Sequence, residues 1–193
     1  MSEDKAVKRG TLFVYSGCSG VGKGTIMKEP LARNKKIKLS VSATTRDPRP
    51  GETNGVEYFF VTHDEFNSMI EEDGFLEHEE FCGNYYGTPR KAVEEMLDNG
   101  YNVFLEIEVK GGVSVINRHP ECVSIFILPP TLEELEHRLR SRGTETEEDV
   151  TKRLQTAIDE LKIAPFYKYQ VVNADLESAI AEVLDIVSKE TAD

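Results

Sequence analysis

Gly17-Cys18-Ser19-Gly20-Val21-Gly22-Lys23-Gly24-Thr25 follows directly on the apolar run Leu12-Phe13-Val14-Tyr15. A buried strand therefore runs into a glycine-rich turn, with a lysine where a helix should begin. That order binds polyphosphate. The glycines let successive backbone N–H groups converge on phosphate oxygens, and the helix N-terminus adds partial positive charge. Lys23 would reach the β- and γ-phosphates as a mobile cation. The stretch departs from G-x-x-x-x-G-K-[ST] at one position: Gly24 stands in the hydroxyl place, and the hydroxyl comes one residue later, at Thr25. The competing reading, a strand-to-helix turn with a surface lysine, asks nothing more of the chain. A nucleotide site does.

Outward from the loop, strands and helices alternate. Strands are expected over 11–15, 38–42, 56–61, 102–109, 122–128 and 170–173. The run over 122–128 is almost continuously apolar, as in strands buried on both faces of a parallel sheet. A helix should start near Gly22 and end or kink at Pro30. Thr62-His63-Asp64-Glu65 has the spacing of a capping box and leads into a helix with Phe66, Met69 and Ile70 inward. Thr88-Pro89 reads as a hydroxyl N-cap followed by proline at the first helical position, with Gly100 placed to end that helix. Thr131-Leu132-Glu133-Glu134 caps another, and further helices are expected over 147–162 and 176–189. Alternation of this kind argues an α/β fold, a parallel sheet with helices on both faces. Residues 43–87 break it, being turn-rich, polar and strand-heavy, and look like an insertion.

At 193 residues the chain suits one domain. No stretch approaches the ~20 apolar residues of a membrane span, and Met1-Ser2-Glu3-Asp4-Lys5 is polar, without a signal-peptide core. Three widely spaced cysteines suggest neither a disulfide framework nor a zinc site, so a cytoplasmic setting is expected. The net charge of −12 disfavours nucleic acid as a partner. Arginines nonetheless gather at Arg46 and Arg49 and again at Arg138, Arg140 and Arg142, which points to small anionic ligands. Arg46 and Arg49 stand three apart in the proline-braced loop Ser42-Ala43-Thr44-Thr45-Arg46-Asp47-Pro48-Arg49-Pro50-Gly51-Glu52. Guanidinium forks match phosphate oxygens, and a solvent-exposed loop is an equal reading of these residues taken alone.

The P-loop, S-x-T-T-R-x-P-R-P-G-E, F-L-E around Glu77, G-N-Y-Y-G-T ending at Thr88, and R-G-T-E-T-E-E from Arg142 together resemble the guanylate kinase family. The resemblance runs from about residue 10 to 187. It implies a P-loop parallel sheet flanked by helices, with core segments 10–42, 88–138 and 158–190. An inserted mixed α/β GMP-binding subdomain would span 43–87, and a helical lid 139–157. It implies transfer of the γ-phosphoryl group of ATP to GMP, with Mg²⁺. Gly17, Cys18, Ser19, Gly20, Val21, Gly22, Lys23, Gly24 and Thr25 would hold the ATP phosphates, with Asn173 near the adenine. Arg46, Arg49, Tyr58 and Tyr86 would hold the GMP phosphate, and Ser42, Glu77 and Thr88 the guanine. Arg138, Arg142 and Arg153 would close over the transferring phosphate. Lys23, Arg46 and these three arginines would be the catalytic set.

Guanine presents adjacent N1–H and N2–H donors and an O6 acceptor. A carboxylate such as Glu77 can accept both donors, and hydroxyls such as Ser42 and Thr88 can serve O6. Adenine would leave that carboxylate unpaired, and sites of this kind reject the wrong analogue by roughly 10⁴–10⁵-fold. On composition alone Glu77, among Glu72, Glu79 and Glu80, reads as part of a solvated acidic face. Thr88 has its capping role as an alternative. Arg138 and Arg142 have pairing with Glu134 and Glu145.

Glu106 and Glu108 stand where the family more often has aspartates. With Gly24 lacking a hydroxyl, Thr25 and Glu106 would support Mg²⁺, partly through water, and Glu108 the guanine side. Lys110 replaces a more usual glutamine, with no role evident in the sequence. Cys18 reads either as a small tolerated residue or as a thiol that the loop dipoles and Lys23 make reactive. Two other readings compete with the enzyme. One is a non-catalytic scaffold domain of the same fold, which would degrade the phosphate loop. The other is a kinase for a different nucleoside monophosphate, against which Ser42, Glu77 and Thr88 argue.

Overall fold

A computed structural model of the protein describes residues 7–81, 83–141 and 146–192. Strand β1 (Leu12–Gly17) is buried along its whole length and lies at the centre of a five-stranded sheet. It pairs in parallel with β7 (Asn102–Glu106) on one side and β8 (Val123–Leu128) on the other. Strands β2 (Ile37–Leu39) and β9 (Tyr169–Val172) complete the parallel order β2-β7-β1-β8-β9. The period-2 alternation of β1 feeds two cores. Phe13 and Tyr15 join Phe104, Ile125, Ile26 and Val183 beneath helices α1 (Lys23–Arg33) and α7 (Leu176–Thr191). Leu12 and Val14 join Leu105, Phe126, Leu135 and Ala157 on the opposite face. That face is covered by α3 (Arg90–Asp98), α4 (Val109–Arg118), α5 (Leu132–Ser141) and α6 (Glu147–Leu161).

Residues 43–89 build a second sheet of mixed direction, in the order β4 (Phe59–Phe60), β3 (Ala43–Thr44), β6 (Asn84–Pro89), β5 (Phe75–Phe81). Helix α2 (His63–Glu71) covers one face of it. Its Thr62–Glu65 capping box forms as the spacing predicts, and Phe66 stacks between Phe75 at 4.4 Å and Tyr85 at 5.4 Å. Met69 and Ile70 pack on the same cluster.

Four local expectations fail for identifiable reasons. Helix α1 runs through Pro30 to Arg33, because the N–H missing at proline costs one bond in the last turn, where Pro30 is buried and its carbonyl still accepts from Asn34 at 3.0 Å. The strand expected over 38–42 is divided. Ser40 N–H donates to Phe104 at 2.9 Å, and the chain then leaves for the second sheet as β3. The strand expected over 56–61 is reduced to Phe59–Phe60 by a turn in which Gly55 N–H donates to the Tyr58 carbonyl at 2.8 Å.

Thr88 does not cap α3. It is a fully buried β6 residue, Pro89 holds the N-cap place, and the Arg90 N–H is taken by the Gly74 carbonyl at 2.8 Å.

The largest difference is α4. Strand β7 stops at Glu106, and Val109 opens a helix where the sequence predicts a strand to 109 and no element after it. Gly111-Gly112 and the β-branched Val113, Val115 and Ile116 are poor helix formers, so the local signal is weak. Close packing supplies the reason for the glycines. A Cβ on Gly112 would lie 2.1 Å from the Tyr167 hydroxyl and 2.7 Å from the Ser16 hydroxyl. Gly112→Ala should accordingly lower unfolding free energy by about 1–3 kcal/mol. A urea midpoint equal to that of the parent chain would refute the close approach.

Candidate active site

Two half-sites lie at the ends of these strands. The first is the loop after β1. Gly22 is left-handed (φ 97°), and a Cβ there would meet Asn173 Nδ2 at 2.7 Å. That amide donates to the Val21 carbonyl at 2.8 Å, so Asn173 at the end of β9 closes the loop from the side. Lys23 Nζ turns back on the loop, donating to the Gly17 carbonyl at 2.6 Å and the Cys18 carbonyl at 3.5 Å. Register places Glu106 level with Tyr15, at the mouth of the loop. Burial pushes its carboxyl up, Lys23 pulls it down, and Glu108 adds a smaller upward push. Glu108 itself is exposed, at the N-cap position of α4. Gly24 and Thr25 are exposed at the start of α1, and a Cβ on Gly24 would lie 3.7 Å from Glu106 Oε1. The missing hydroxyl thus leaves space facing a carboxylate.

The helices after β8 bring cations to this loop. Arg138 on α5 donates to Glu134 at 2.8 Å, as its helical spacing predicts, but also to the carbonyls of Val21 at 3.4 Å and Asn173 at 3.1 Å. Arg153 on α6 donates to the Ser19 hydroxyl at 3.3 Å. Arg142 and Glu145 lie outside the described residues. Glu160, near the end of α6, has its carboxyl pushed up to about 7 by burial and by Glu108, against Lys23 and the Ser19 N–H. No sequence motif marks it. The only local signal is an acid on the inward side of an amphipathic helix.

The second half-site belongs to the mixed sheet. A bulge between Phe75 and His78 aims Glu77 inward, where it is buried. Thr88 donates to Glu77 Oε1 at 2.6 Å. The other carboxylate oxygen lies against α4: a Cβ on Gly111 would come within 2.9 Å of Oε2. Burial pushes the Glu77 carboxyl up while the Thr88 hydrogen bond opposes the shift. Glu77 is therefore no member of a solvated face. It lines a cleft of about 540 Å³ with Glu79, Tyr85, Lys110 and Ser114. Lys110 reaches across it to Glu79 at 3.4 Å. Ser42 is half-buried just before β3.

Arg46 is held by four groups. Its Nη2 donates to both oxygens of Glu52 at 2.9 and 3.0 Å, and its Nη1 to the Asp47 carbonyl at 2.7 Å. Its guanidinium lies 5.4 Å from the Tyr58 ring and 5.7 Å from the Phe60 ring. Arg49 is exposed, its N–H donating to Glu52 at 2.7 Å. Tyr58 and Tyr86 meet edge-to-face at 6.1 Å, whereas Tyr85 belongs to the Phe66 cluster. Glu52 is the residue that motif reading quotes without assigning. Arg46, Arg49, Tyr58 and Tyr86 thus gather in one cationic, hydroxyl-bearing corner. Glu77 and Thr88 form a hydrogen-bonded polar pair on the same sheet.

A family model described as guanylate kinase matches residues 9–190. The chain is 50% identical over 184 residues to a guanylate kinase of Clostridioides difficile, covering 95% of this chain and 90% of that one. It is also 50% identical over 181 residues to the guanylate kinase of Desulfitobacterium hafniense, covering 94% and 90%. Among solved structures it resembles guanylate kinase from Anaplasma phagocytophilum, with a TM-score of 0.75 at 33% identity over 96% of this chain and 88% of that one.

Cys18 is fully buried, its thiol facing the Ala157 carbonyl at 3.7 Å, and burial pushes it up to about 12, which corrects the reactive reading. Alkylation of Cys18 at pH 7.5 should run at least about 100-fold slower in the folded chain than in urea. Equal rates, read by peptide mass spectrometry, would contradict this burial.

Proposed function

The chain belongs to the guanylate kinase family, and from that premise we propose how its residues transfer the γ-phosphoryl group of ATP to GMP, giving ADP and GDP. The observation that carries the reading is the pairing of an intact phosphate loop with a buried, hydroxyl-oriented carboxylate, Glu77, on a separate sheet.

In this reading residues 43–87 bind GMP and residues 139–157 act as the lid. Arg46, Arg49, Tyr58 and Tyr86 grip the GMP phosphate, and Glu52 holds the Arg46 fork in place. Glu77 accepts N1–H and N2–H of guanine. Because Thr88 spends its single proton on Glu77, it orients the carboxylate, and the Ser42 hydroxyl is the donor left for O6. Glu108 stands toward the guanine side. An adenine would leave Glu77 buried and unpaired.

The backbone of residues 17–25 cradles the ATP phosphates, and Asn173 sits by the adenine. In the free protein Lys23 rests on the Gly17 carbonyl and Arg153 on the Ser19 hydroxyl. The triphosphate takes over both cations. With Arg138 and Arg142 they neutralise the charge that spreads over the oxygens of the transferring group. A GMP phosphate oxygen attacks directly, so no protein nucleophile is needed. Closure of the lid excludes water and suppresses hydrolysis.

Glu106 and Thr25 flank the open space at Gly24. Among the described residues no three His, Cys, Asp or Glu side chains converge on a metal. One carboxylate beside a phosphate loop suits Mg²⁺, which keeps most of its waters. Held there, Mg²⁺ would offset phosphate charge. No helix among the described residues is long and apolar enough to cross a membrane. The free thiols Cys18 and Cys122 fit a cytoplasmic setting, and the net charge of −12 fits small-molecule substrates rather than nucleic acid.

A coupled assay with ATP, Mg²⁺ and GMP, AMP, UMP or dTMP tests the reading. ADP should form with GMP alone at appreciable rate. Equal rates across acceptors would refute guanine selectivity, and no turnover with any would favour the scaffold.

Lys23→Ala should lower kcat by at least about 100-fold while KM for GMP stays within about threefold. Glu77→Ala should reduce the preference for GMP over AMP by about 100-fold. The Glu77 carboxyl is raised and must be ionised to accept two donors. KM for GMP should therefore rise as pH falls through that raised value. In Glu77→Gln that rise should disappear. A Glu77→Gln enzyme with the parent pH profile would remove Glu77 from base recognition.

A further inference from the structure

The phosphoryl-transfer mechanism gives Lys110 no task. Lys110 is the second residue of α4, a helix that packs on β1 of the main sheet. Its ammonium nonetheless ends 3.4 Å from Glu79 Oε1, on β5 of the inserted sheet. The ion pair therefore crosses the cleft from one sheet's helix to the other sheet's strand. The next residue, Gly111, brings the same turn close to Glu77 Oε2. The Lys110 side chain is 89% exposed, so packing does not account for its course.

Register shows which face of the mixed sheet Glu79 occupies. Along β5 it stands two residues from Glu77, and across the ladder it lies opposite Tyr86 on β6. Thr88, two residues from Tyr86, donates to Glu77. Strand alternation and cross-strand pairing thus put Glu77, Glu79, Tyr86 and Thr88 on one face. In the proposed function that face holds GMP, with Glu77 at the guanine end and Tyr86 at the phosphate end. Glu79 stands between them. An uncompensated carboxylate there would repel the nucleotide, whose phosphate carries nearly two negative charges above about pH 7. Glu77, Glu79 and Glu80 all line the cleft, and Lys110 is the one lysine or arginine among its described lining residues.

We propose that Lys110 is a positioning residue for GMP, which reaches across the cleft and cancels the charge of Glu79 so that the phosphate is admitted along that face. Lys110 acts through Glu79 and does not touch the reacting atoms. A glutamine at this position would leave Glu79 uncompensated. This rests on the mixed sheet being the GMP site.

Lys110→Met keeps the reach of the side chain and removes its charge. At about pH 8 and low salt it should weaken GMP binding, read by calorimetry, about fivefold, the upper range for one exposed ion pair. In about 0.5 M NaCl that loss should shrink to within about twofold, because the charges are open to solvent. Guanosine lacks the phosphate, so its inhibition constant should stay within about twofold of the parent value. KM for ATP should hold within about twofold as well. Adding Glu79→Gln to Lys110→Met should return the Kd for GMP to within about twofold of the parent. The proposal fails if Lys110→Met binds GMP like the parent, if the loss persists in high salt, if guanosine or ATP weakens in step with GMP, or if the double variant stays as weak as the single one. Failure of the GMP-site reading shows separately, as a parent chain that takes up no GMP in the calorimeter, and would overturn both.

Discussion

The first turn of α4 is the constraint on which both half-sites depend. Gly112 lets that turn sit against Ser16 at the end of β1 and Tyr167 just before β9, and Gly111 lets it sit against the Glu77 carboxylate on β5. A single helix start thereby packs against both the strand that leads into the glycine-rich loop and the buried Glu77 carboxylate. Glu106 and Glu108 lie just before it and inherit their positions from the same packing. Any side chain at either glycine would push on a polar side-chain atom, Glu77 Oε2 at Gly111 or the Tyr167 and Ser16 hydroxyls at Gly112, because interiors at this density have no slack to absorb a methyl group.

Charge is arranged around the same geometry. A chain of net charge −12 must attract two phosphate-bearing molecules, so its cations cannot be left to the average field. Four described cations of the proposed machinery are held by local oxygens in the free protein. Glu52 holds Arg46, loop carbonyls hold Lys23, and the Ser19 hydroxyl holds Arg153. Glu134 and two carbonyls hold Arg138. The side chains of Arg46 and Glu52 are only 15% and 17% exposed, which distinguishes this pair from the open surface bridges elsewhere. These oxygens orient the guanidinium and ammonium groups before an anion arrives, so less freedom is lost on binding.

Features whose causes are local are legible in the sequence. The Thr62–Glu65 capping box, the Thr131 cap and the helix stop at Gly100 depend on neighbours a few residues away, and all three form. The failures have distant causes. Thr88 has the sequence of an N-cap, yet its hydroxyl is claimed by Glu77, eleven residues away in the chain. Pro30 has the sequence of a helix end, yet burial in the last turn carries α1 past it. Cys18 sits beside dipoles and a lysine that would lower its thiol, yet its side chain turns into the core toward Ala157 and desolvation wins.

The sequence by itself determined the parallel α/β sheet, the phosphate loop and its strand-to-helix setting, because these follow from hydrophobic period, glycine placement and residues adjacent in the chain. It also determined the family, through several spaced motifs. Tertiary structure alone decided that a helix begins at Val109 and that Glu77 leaves the acidic face for a buried cleft. It likewise decided that Glu52 locks Arg46 and that α6 lays Arg153 and Ala157 on the loop. Each of those depends on what a side chain meets after the chain has closed on itself, where burial and hydrogen-bond partners outweigh intrinsic preference.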